Sequence, residues 1–167
     1  FENILKKQGF KKTIAKELEN VYFSKFVRYE KEHVSVDLLI DALACRITNA
    51  SFGYDLLFRN SIKKKIIGTE KEIIARIPIK ELLIVMKIHS GRLTDFRDIA
   101  ALAKDSNLDL IKEFLFRGNL KELRKNLSKL HKVVNDKKFV NSFKGVFIEK
   151  KFDIDLGQVR KISEIKR

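Results

Sequence analysis

The chain has 167 residues, which suits one domain or one compact domain with an appended helical lobe. Lys and Arg number 36 against 22 Asp and Glu, and the resulting net charge of +14 favours polyanionic partners such as nucleic acid, nucleotides or an acidic protein. The single cysteine, Cys45, excludes an intrachain disulfide and a cysteine-rich zinc site and is typical of a cytoplasmic protein. Apolar runs such as residues 82–86 fall far short of the ~20 residues that span a bilayer, so no membrane association is expected.

The first 41 residues predict a helix followed by two strands. The opening residues have the pattern of a helix that ends at Gly9. Residues 21–29 and 33–41 are rich in β-branched, aliphatic and aromatic side chains and predict strands joined by a polar turn. Alternate residues of a strand point to opposite faces, so the aliphatic face of the second strand is opposed by a face that carries Asp37 and Asp41.

The middle of the chain predicts a hairpin and then a series of helices. Residues 42–60 give no clear pattern, whereas residues 61–67 and 70–77 predict two strands that turn near Gly68. Helices are predicted over residues 80–89, from an N-cap at Thr94 to residue 103, and over residues 108–116, with breaks at Gly91 and Gly118.

The helix that begins at Leu120 carries the cleanest periodicity in the sequence. Its apolar residues alternate spacings of three and four, and its remaining surface is basic. The apolar stripe consists of Leu120, Leu123, Leu127, Leu130 and Val134, and the basic residues are Lys121, Arg124, Lys125, Lys129 and Lys132. A packed amphipathic helix is the simplest interpretation, and its outer face would also suit tRNA or another backbone-bound polyanion.

The last part of the chain predicts a helix over residues 137–147, a short strand over 152–156 and a terminal helix from Val159. Strands therefore precede helices, an order typical of the α+β class. We predict a mixed β-sheet in residues 1–78 and a helical lobe in residues 79–167 that packs on it.

Asp37 is the first candidate for chemistry. An aspartate fixed on a strand between aliphatic residues has the rigid direction that a Mg²⁺ ligand needs. The alternative is an acid on an exposed face or one paired with a neighbouring lysine. No aspartate precedes Asp37, whereas metal sites for nucleotidyl transfer gather several carboxylates around one or two ions.

A second candidate group lies at the junction between two predicted helices. Lys87 is near the end of the first helix, Arg92 is in the connection, and Asp95 and Asp98 share a face of the next helix because they are three residues apart. By spacing alone these residues are also explained as scaffold, since Arg92 can pair with Asp95 and acids in a first turn complement the helix dipole.

Three features together resemble a known family. They are the aliphatic strand with Asp37, the pattern P-x-x-E-L-L-x-x-x-K that begins at Pro78, and the pattern G-R-x-x-D-x-x-D-I-x-x-L that begins at Gly91. This combination, which extends to residue 102, resembles the minimal nucleotidyltransferase superfamily and most closely the AbiEii-like toxin nucleotidyltransferases.

The resemblance implies a reaction and a role for each residue. Members of the family move a nucleoside monophosphate from a nucleoside triphosphate (NTP) to an acceptor such as tRNA or protein, with Mg²⁺ held by a D-x-D pair and a third carboxylate. By analogy Asp37 would be that third carboxylate, and Lys87 and Asp98 would belong to the catalytic site. Arg92 and Asp95 would orient the nucleotide or the acceptor.

The sequence departs from the family pattern because no G-S or G-G turn and no D-x-D precedes Asp37. We expect these motifs upstream of Phe1, and we expect the present chain to be inactive because one carboxylate cannot hold two metals. Two alternatives remain: a non-catalytic nucleic-acid-binding protein on the same scaffold, and a toxin-like component that binds an acidic antitoxin-like protein.

Overall fold

The structure, a computed structural model, describes residues 1–18, 24–68, 71–141 and 154–167. The strands are β1 (Lys11–Leu18), β2 (Ser24–Lys31), β3 (Val34–Ile40), β4 (Ala42–Cys45), β5 (Ala50–Gly53), β6 (Ser61–Ile67) and β7 (Glu72–Pro78). The helices are α1 (Glu2–Lys7), α2 (Tyr54–Arg59), α3 (Lys80–Ser90), α4 (Leu93–Leu102), α5 (Leu108–Leu115), α6 (Leu120–Val134), α7 (Lys137–Asn141) and α8 (Leu156–Ser163). The α+β class is confirmed.

The chain divides into two compact units. The first consists of Phe1–Ala44 and Ser51–Leu56, and the second of Cys45–Ala50 and Leu57–Arg167. The predicted boundary after Pro78 differs from this division, because it assigns the β6–β7 hairpin to the sheet region. The hairpin groups with the helices since its last strand leads directly into α3.

The sheet of the first unit is a three-stranded antiparallel meander in the order β1-β2-β3. Leu5, Val27 and Tyr29 form its buried core, with partly buried hydrophobic residues packed against them. Those residues are Phe10, Val36 and Leu38. The period of two in β3 therefore holds in the middle of the strand, as the sequence predicts, whereas Val34 and Ile40 at its ends are exposed.

The described strands form three small sheets rather than one mixed sheet. Besides the meander, β4 pairs with β5, and β6 pairs with β7 in an antiparallel hairpin. The hairpin agrees with its predicted position. The predicted strand over residues 21–29 lies partly outside the described residues, and β2 runs from Ser24 to Lys31. Strand β1 was not predicted, and it contains a register shift between Lys12 and Ile14.

Helix α3 is at the centre of the second unit and packs against α4, α5 and α6. Its residues Leu82, Ile84, Val85 and Ile88 are fully buried. A helix that is apolar around most of its circumference is stable in water only when neighbouring helices cover it. The predicted stripe of α6 is confirmed, since its apolar residues from Leu123 to Val134 are buried. Among the described residues no helix combines the length and apolar character needed to cross a bilayer.

Two glycines end helices in the left-handed conformation, as predicted: Gly9 after α1 has φ of 84°, and Gly91 after α3 has φ of 64°. Gly118 also has φ of 64°, but α5 ends at Leu115 with Phe116 as its C-cap, so Gly118 lies in the connection to α6. A Cβ at Gly118 would also collide with the carbonyl oxygen of Thr48, so only glycine fits this close backbone approach. The predicted N-cap at Thr94 is wrong, because α4 begins at Leu93 and its N-cap is Arg92, whose backbone N–H donates to the Asp95 carboxylate at 3.3 Å.

The C-terminal prediction is partly corrected. Residues 142–153 lie outside the described residues, so the predicted helix 137–147 can be compared only over residues 137–141, which form α7, and the predicted strand 152–156 only over residues 154–156. Leu156 begins α8 rather than ending a strand, since the Asp155 carboxylate accepts a hydrogen bond from the Gln158 N–H at 2.9 Å and caps the helix. Val159 and Ile162 are buried on this helix, as the predicted period requires.

Candidate functional site

The candidate site with the most ionic contacts lies where α3 meets α4. Gly91 reverses the chain after α3, and as a result Lys87 in the last turn of α3 faces the first two turns of α4. Lys87 Nζ is 2.5 Å from Asp98 Oδ2 and 3.3 Å from Asp95 Oδ1. We call Lys87, Arg92, Asp95 and Asp98 the junction cluster.

Arg92 binds Asp95 in a two-pronged ion pair. Its Nε–H donates to Asp95 Oδ2 at 2.7 Å, and its Nη2–H donates to Oδ1 at 3.2 Å. The Asp95 side chain is 3% exposed, whereas the Arg92 side chain is 70% exposed. The carboxylate is therefore held inside the fold, and the guanidinium covers it from the solvent side.

The positive and negative groups of the junction cluster stabilise one another in their charged forms. Burial alone would raise the pKa of Asp95, but hydrogen bonds from Arg92, Ser90 and Lys87 keep the pKa below its ordinary value. Burial alone would lower the pKa of Lys87, and the contacts with Asp98 and Asp95 raise it instead. Lys87 and Asp95 are consequently both charged at neutral pH, and each carboxylate of the cluster contacts a cation.

Arg92 is the member of the cluster that is best placed to meet a ligand. A guanidinium carries five N–H donors, of which Asp95 takes two, so donors remain for an incoming phosphate or carboxylate. A planar donor group that is already oriented by a buried carboxylate loses little freedom on binding such an anion. The cluster can thus bind and orient an anion.

Asp37 lies on β3 in the first unit, directly opposite Arg28 on β2 in the strand register. Arg28 Nε–H donates to Asp37 Oδ1 at 2.7 Å, and Nη2–H donates to Oδ2 at 3.0 Å. The hydrogen bond from Arg28 lowers the pKa of Asp37. The exposed face of β3 therefore carries a cross-strand ion pair in which both carboxylate oxygens are engaged.

The described residues do not fit a two-metal centre. In residues 1–18, 24–68, 71–141 and 154–167 there is no group of three or more His, Cys, Asp or Glu side chains that could hold a metal ion. Mg²⁺ requires several oxygen ligands, and Asp37 offers its oxygens to Arg28. The role of Asp37 as a metal ligand stays a prediction.

The structure thus brings together four of the five predicted site residues. Lys87, Arg92, Asp95 and Asp98 form the junction cluster in the second unit, whereas Asp37 belongs to the first unit. Sequence reasoning missed Arg28 as the partner of Asp37. Strand pairing was the signal that could have indicated this partner, because charged residues on the polar faces of two neighbouring strands can lie directly opposite one another.

A buried polar group around His89 was also missed. His89 and Thr48 are fully buried, with Thr48 Oγ1 2.8 Å from His89 Nδ1 and His89 Nε2 3.0 Å from the carbonyl oxygen of Leu115. A carbonyl oxygen only accepts, so Nε2 carries the proton, and Nδ1 of the neutral ring accepts from the threonine hydroxyl. Asn126 donates to the carbonyl oxygens of Ile88 and His89 at 3.0 and 3.1 Å.

Burial lowers the pKa of His89 from 6.5 to about 4, although the hydrogen bond with Leu115 opposes the shift. The nearby positive charge of Arg117 lowers the pKa further. The ring is therefore neutral at physiological pH and acts as a fixed link between α3 and the segments that contain Thr48 and Leu115. Since both ring nitrogens are already used, this group holds the fold together.

No protein-family model, no curated protein and no solved structure matches this chain.

Proposed function

We propose that this protein is nucleotidyltransferase-like, that the reaction it serves is transfer of a nucleoside monophosphate from an NTP to an acceptor, and that the residues of the present chain orient the nucleotide or the acceptor through the junction cluster without completing the catalytic site. One observation carries the proposal: the residues of the K and G-R-x-x-D-x-x-D motifs lie within hydrogen-bond distance of one another at one helix junction. The structural interpretation of the same motif requires only the Arg92–Asp95 pair. The convergence of Lys87 on both aspartates is a second ionic contact at the same junction, beyond that pair.

The reaction is a substitution at the α-phosphorus. An acceptor oxygen forms a bond to the α-phosphorus, the bond to the bridging oxygen of the β-phosphate breaks, and pyrophosphate leaves with that electron pair while the acceptor hydroxyl loses its proton. The exposed guanidinium of Arg92 would contact a phosphate, and Asp95 would hold the guanidinium in the orientation needed for that contact. Lys87 would hold Asp95 and Asp98 in place. Because the described carboxylates do not fit a two-metal site, no step is assigned to Mg²⁺ or to Asp37.

Binding of NTPs to the intact chain tests the proposal, since binding does not require a complete catalytic site. Titration calorimetry with ATP, GTP, CTP and UTP in Mg²⁺ buffer should find at least one ligand. Arg92→Gln should weaken its binding about tenfold or more, because a charge-assisted contact to phosphate is lost. Arg59→Gln, an exposed arginine at the end of α2, is the matched control and should bind as the parent does.

Two results would overturn the proposal: none of the four NTPs binds, or binding is the same in the Arg92→Gln variant. Circular dichroism of both variants verifies that the fold is retained. Arg92→Lys gives a second measurement, because lysine keeps the charge but loses the two-pronged geometry. An intermediate affinity is expected, and an affinity equal to that of Arg92→Gln would mean that charge alone contributes nothing.

A second candidate is a non-catalytic binding protein on the same scaffold, with nucleic acid or an acidic antitoxin-like protein as its partner. The observation that favours it is the engagement of both Asp37 oxygens by Arg28. For this candidate the calorimetry detects no NTP binding, while binding of a polyanion persists and weakens steeply as the salt concentration rises.

A further inference from the structure

A strongly charged surface lies on the outer side of α6. An open concavity of about 480 Å³ is lined there entirely by α6 residues. Its lining residues are Lys121, Arg124, Lys125, Ser128, Lys129 and Lys132. We call the five basic residues of this set the basic face. All of them are exposed.

The orientation of the basic face is fixed by the opposite side of the helix. α6 packs against α3 and α8, and Leu123, Leu127 and Leu130 are buried there. Asn126 on the buried side donates to two carbonyl oxygens at the end of α3, which prevents rotation of α6 about its axis. The cations therefore face the solvent permanently, and no apolar side of α6 is left for insertion into a lipid surface.

The basic face keeps a positive net charge even when the one acidic residue of α6 is included. α6 contains five Lys and Arg and one acid, Glu122, which pairs with Lys125 at 2.7 Å. The pKa of Glu122 is lowered by its hydrogen bond with Lys125 and also by the charges of Lys121 and Lys129. Among the described residues Arg124 and Lys132 have no ion-pair partner.

A second concavity, of about 570 Å³, adjoins the first and shares Arg124 and Ser128 with it. It extends the surface toward Lys166 and Arg167, which add two more cations. Its one acid, Glu164, is 3.7 Å from His131 Nδ1. The cations that line the two concavities form a cationic track within the second unit, bordered in the second concavity by apolar side chains such as Leu127 and Ile165.

The length of the track decides between a small anion and a polymer. From Lys121 to Lys132 the helix rises about 16 Å at 1.5 Å per residue. A single phosphate contacts one or two of these cations and leaves the rest repelling one another. A chain of phosphates neutralises the row and releases its counterions.

We propose that the basic face and the adjoining residues Lys166 and Arg167 bind the phosphodiester backbone of a nucleic acid. The contacts are made to phosphates, so binding is independent of base sequence. This surface is separate from the junction cluster and does not depend on nucleotide transfer.

Fluorescence anisotropy with the full chain tests the proposal. The probes are a labelled single-stranded RNA and a labelled DNA duplex, each of about 20 nucleotides or base pairs, measured over a series of salt concentrations. If about four phosphates are neutralised, the logarithm of the binding constant falls against the logarithm of the salt concentration with a slope of about −3 for the single strand and about −3.6 for the duplex.

The decisive variant is the triple substitution Arg124→Gln, Lys129→Gln and Lys132→Gln. It should weaken binding at least about tenfold and make the slope shallower by about 2, because up to three phosphate contacts are lost. The matched control removes the same charge from strand β6, by Lys63→Gln, Lys64→Gln and Lys65→Gln. It should change the affinity less than about threefold if the contacts are local.

Three outcomes would overturn the proposal. They are equal losses in the two triple variants, which would mean that net charge alone drives binding; absence of binding at low salt; and binding of vesicles that contain anionic lipid with no binding of either nucleic acid. Circular dichroism confirms folding of the variants. The α6 triple variant should leave NTP binding unchanged, so a failure of this proposal and a failure of the proposed function are told apart by the two assays.

Discussion

Lowering the pH from about 8 to about 5 should destabilise the second unit through a single residue, His89. Its pKa is about 4 in the folded protein, against 6.5 for an ordinary histidine. In this pH range the unfolded chain therefore binds a proton that the folded chain excludes, and stability decreases as the pH falls. The contribution of the neutral His89 ring to the free energy of unfolding is complete above pH 6.5 and is progressively lost as the pH falls toward 4. This difference between the folded and unfolded pKa of His89 lowers the free energy of unfolding by about 2 kcal/mol between pH 8 and pH 5.

Urea denaturation followed by far-UV circular dichroism at a series of pH values measures this loss. His89→Gln should remove the His89 part of the pH dependence, whereas His33→Gln, at an exposed histidine, should keep it. If the parent and His89→Gln lost the same stability between pH 8 and pH 5, the reasoning would be refuted. NMR titration of the parent is a second measurement, since a His89 midpoint near 6.5 would contradict the buried neutral ring even if the variant did not fold.

Three further predictions use the same denaturation assay. Gly118→Ala should cost more than about 2 kcal/mol, because its φ is 64° and the added Cβ meets backbone, whereas Gly53→Ala has open space and should be nearly neutral. Asn126→Leu should cost about 2–3 kcal/mol, since it removes the side-chain donor of the Ile88 carbonyl oxygen and leaves the His89 carbonyl oxygen with only the weak S–H donor of Cys45. Asp37→Asn should cost much less, because the pair with Arg28 is exposed. Arg28 lowers the pKa of Asp37 in the folded protein. The small difference in stability between the parent and Asp37→Asn should therefore disappear only when the pH falls below that lowered pKa, where the carboxylate is protonated.

Each of these predictions has a contradicting result. Equal effects of the two glycine substitutions would mean that the left-handed turn at residue 118 is not required. A neutral Asn126→Leu would mean that water or another group reaches the end of α3. A loss from Asp37→Asn as large as that from Asn126→Leu would mean that the cross-strand pair is shielded from solvent.

The parts of the fold that the sequence predicts are those in which short-range spacing decides the structure. The stripe of α6, the glycine at the end of α3 and the shared face of Asp95 and Asp98 all depend on residues within one or two helical turns. Periodicity and the left-handed preference of glycine are sufficient for such features.

The parts that the sequence does not predict depend on contacts between distant residues. Strand β1 has charged residues at half of its positions and therefore lacks a clear strand pattern of its own, so its pairing with β2 determines its structure. Arg28 lies opposite Asp37 because the turn between β2 and β3 determines the register in which the two strands pair. His89 and Thr48 are 41 positions apart, and nothing in the local sequence of either one indicates the other.

The inclusion of Cys45–Ala50 in the second unit has a consequence for any attempt to dissect the protein. A fragment that starts at residue 57 would lose Thr48, which accepts a hydrogen bond from the Asn119 N–H and contacts His89. It would keep every helix from α3 onward but leave the Nδ1 atom of a buried imidazole without its hydroxyl donor. Separately expressed halves would therefore be poor substitutes for the intact chain, and grafting the helical part onto another scaffold would require the six-residue segment to be supplied as well.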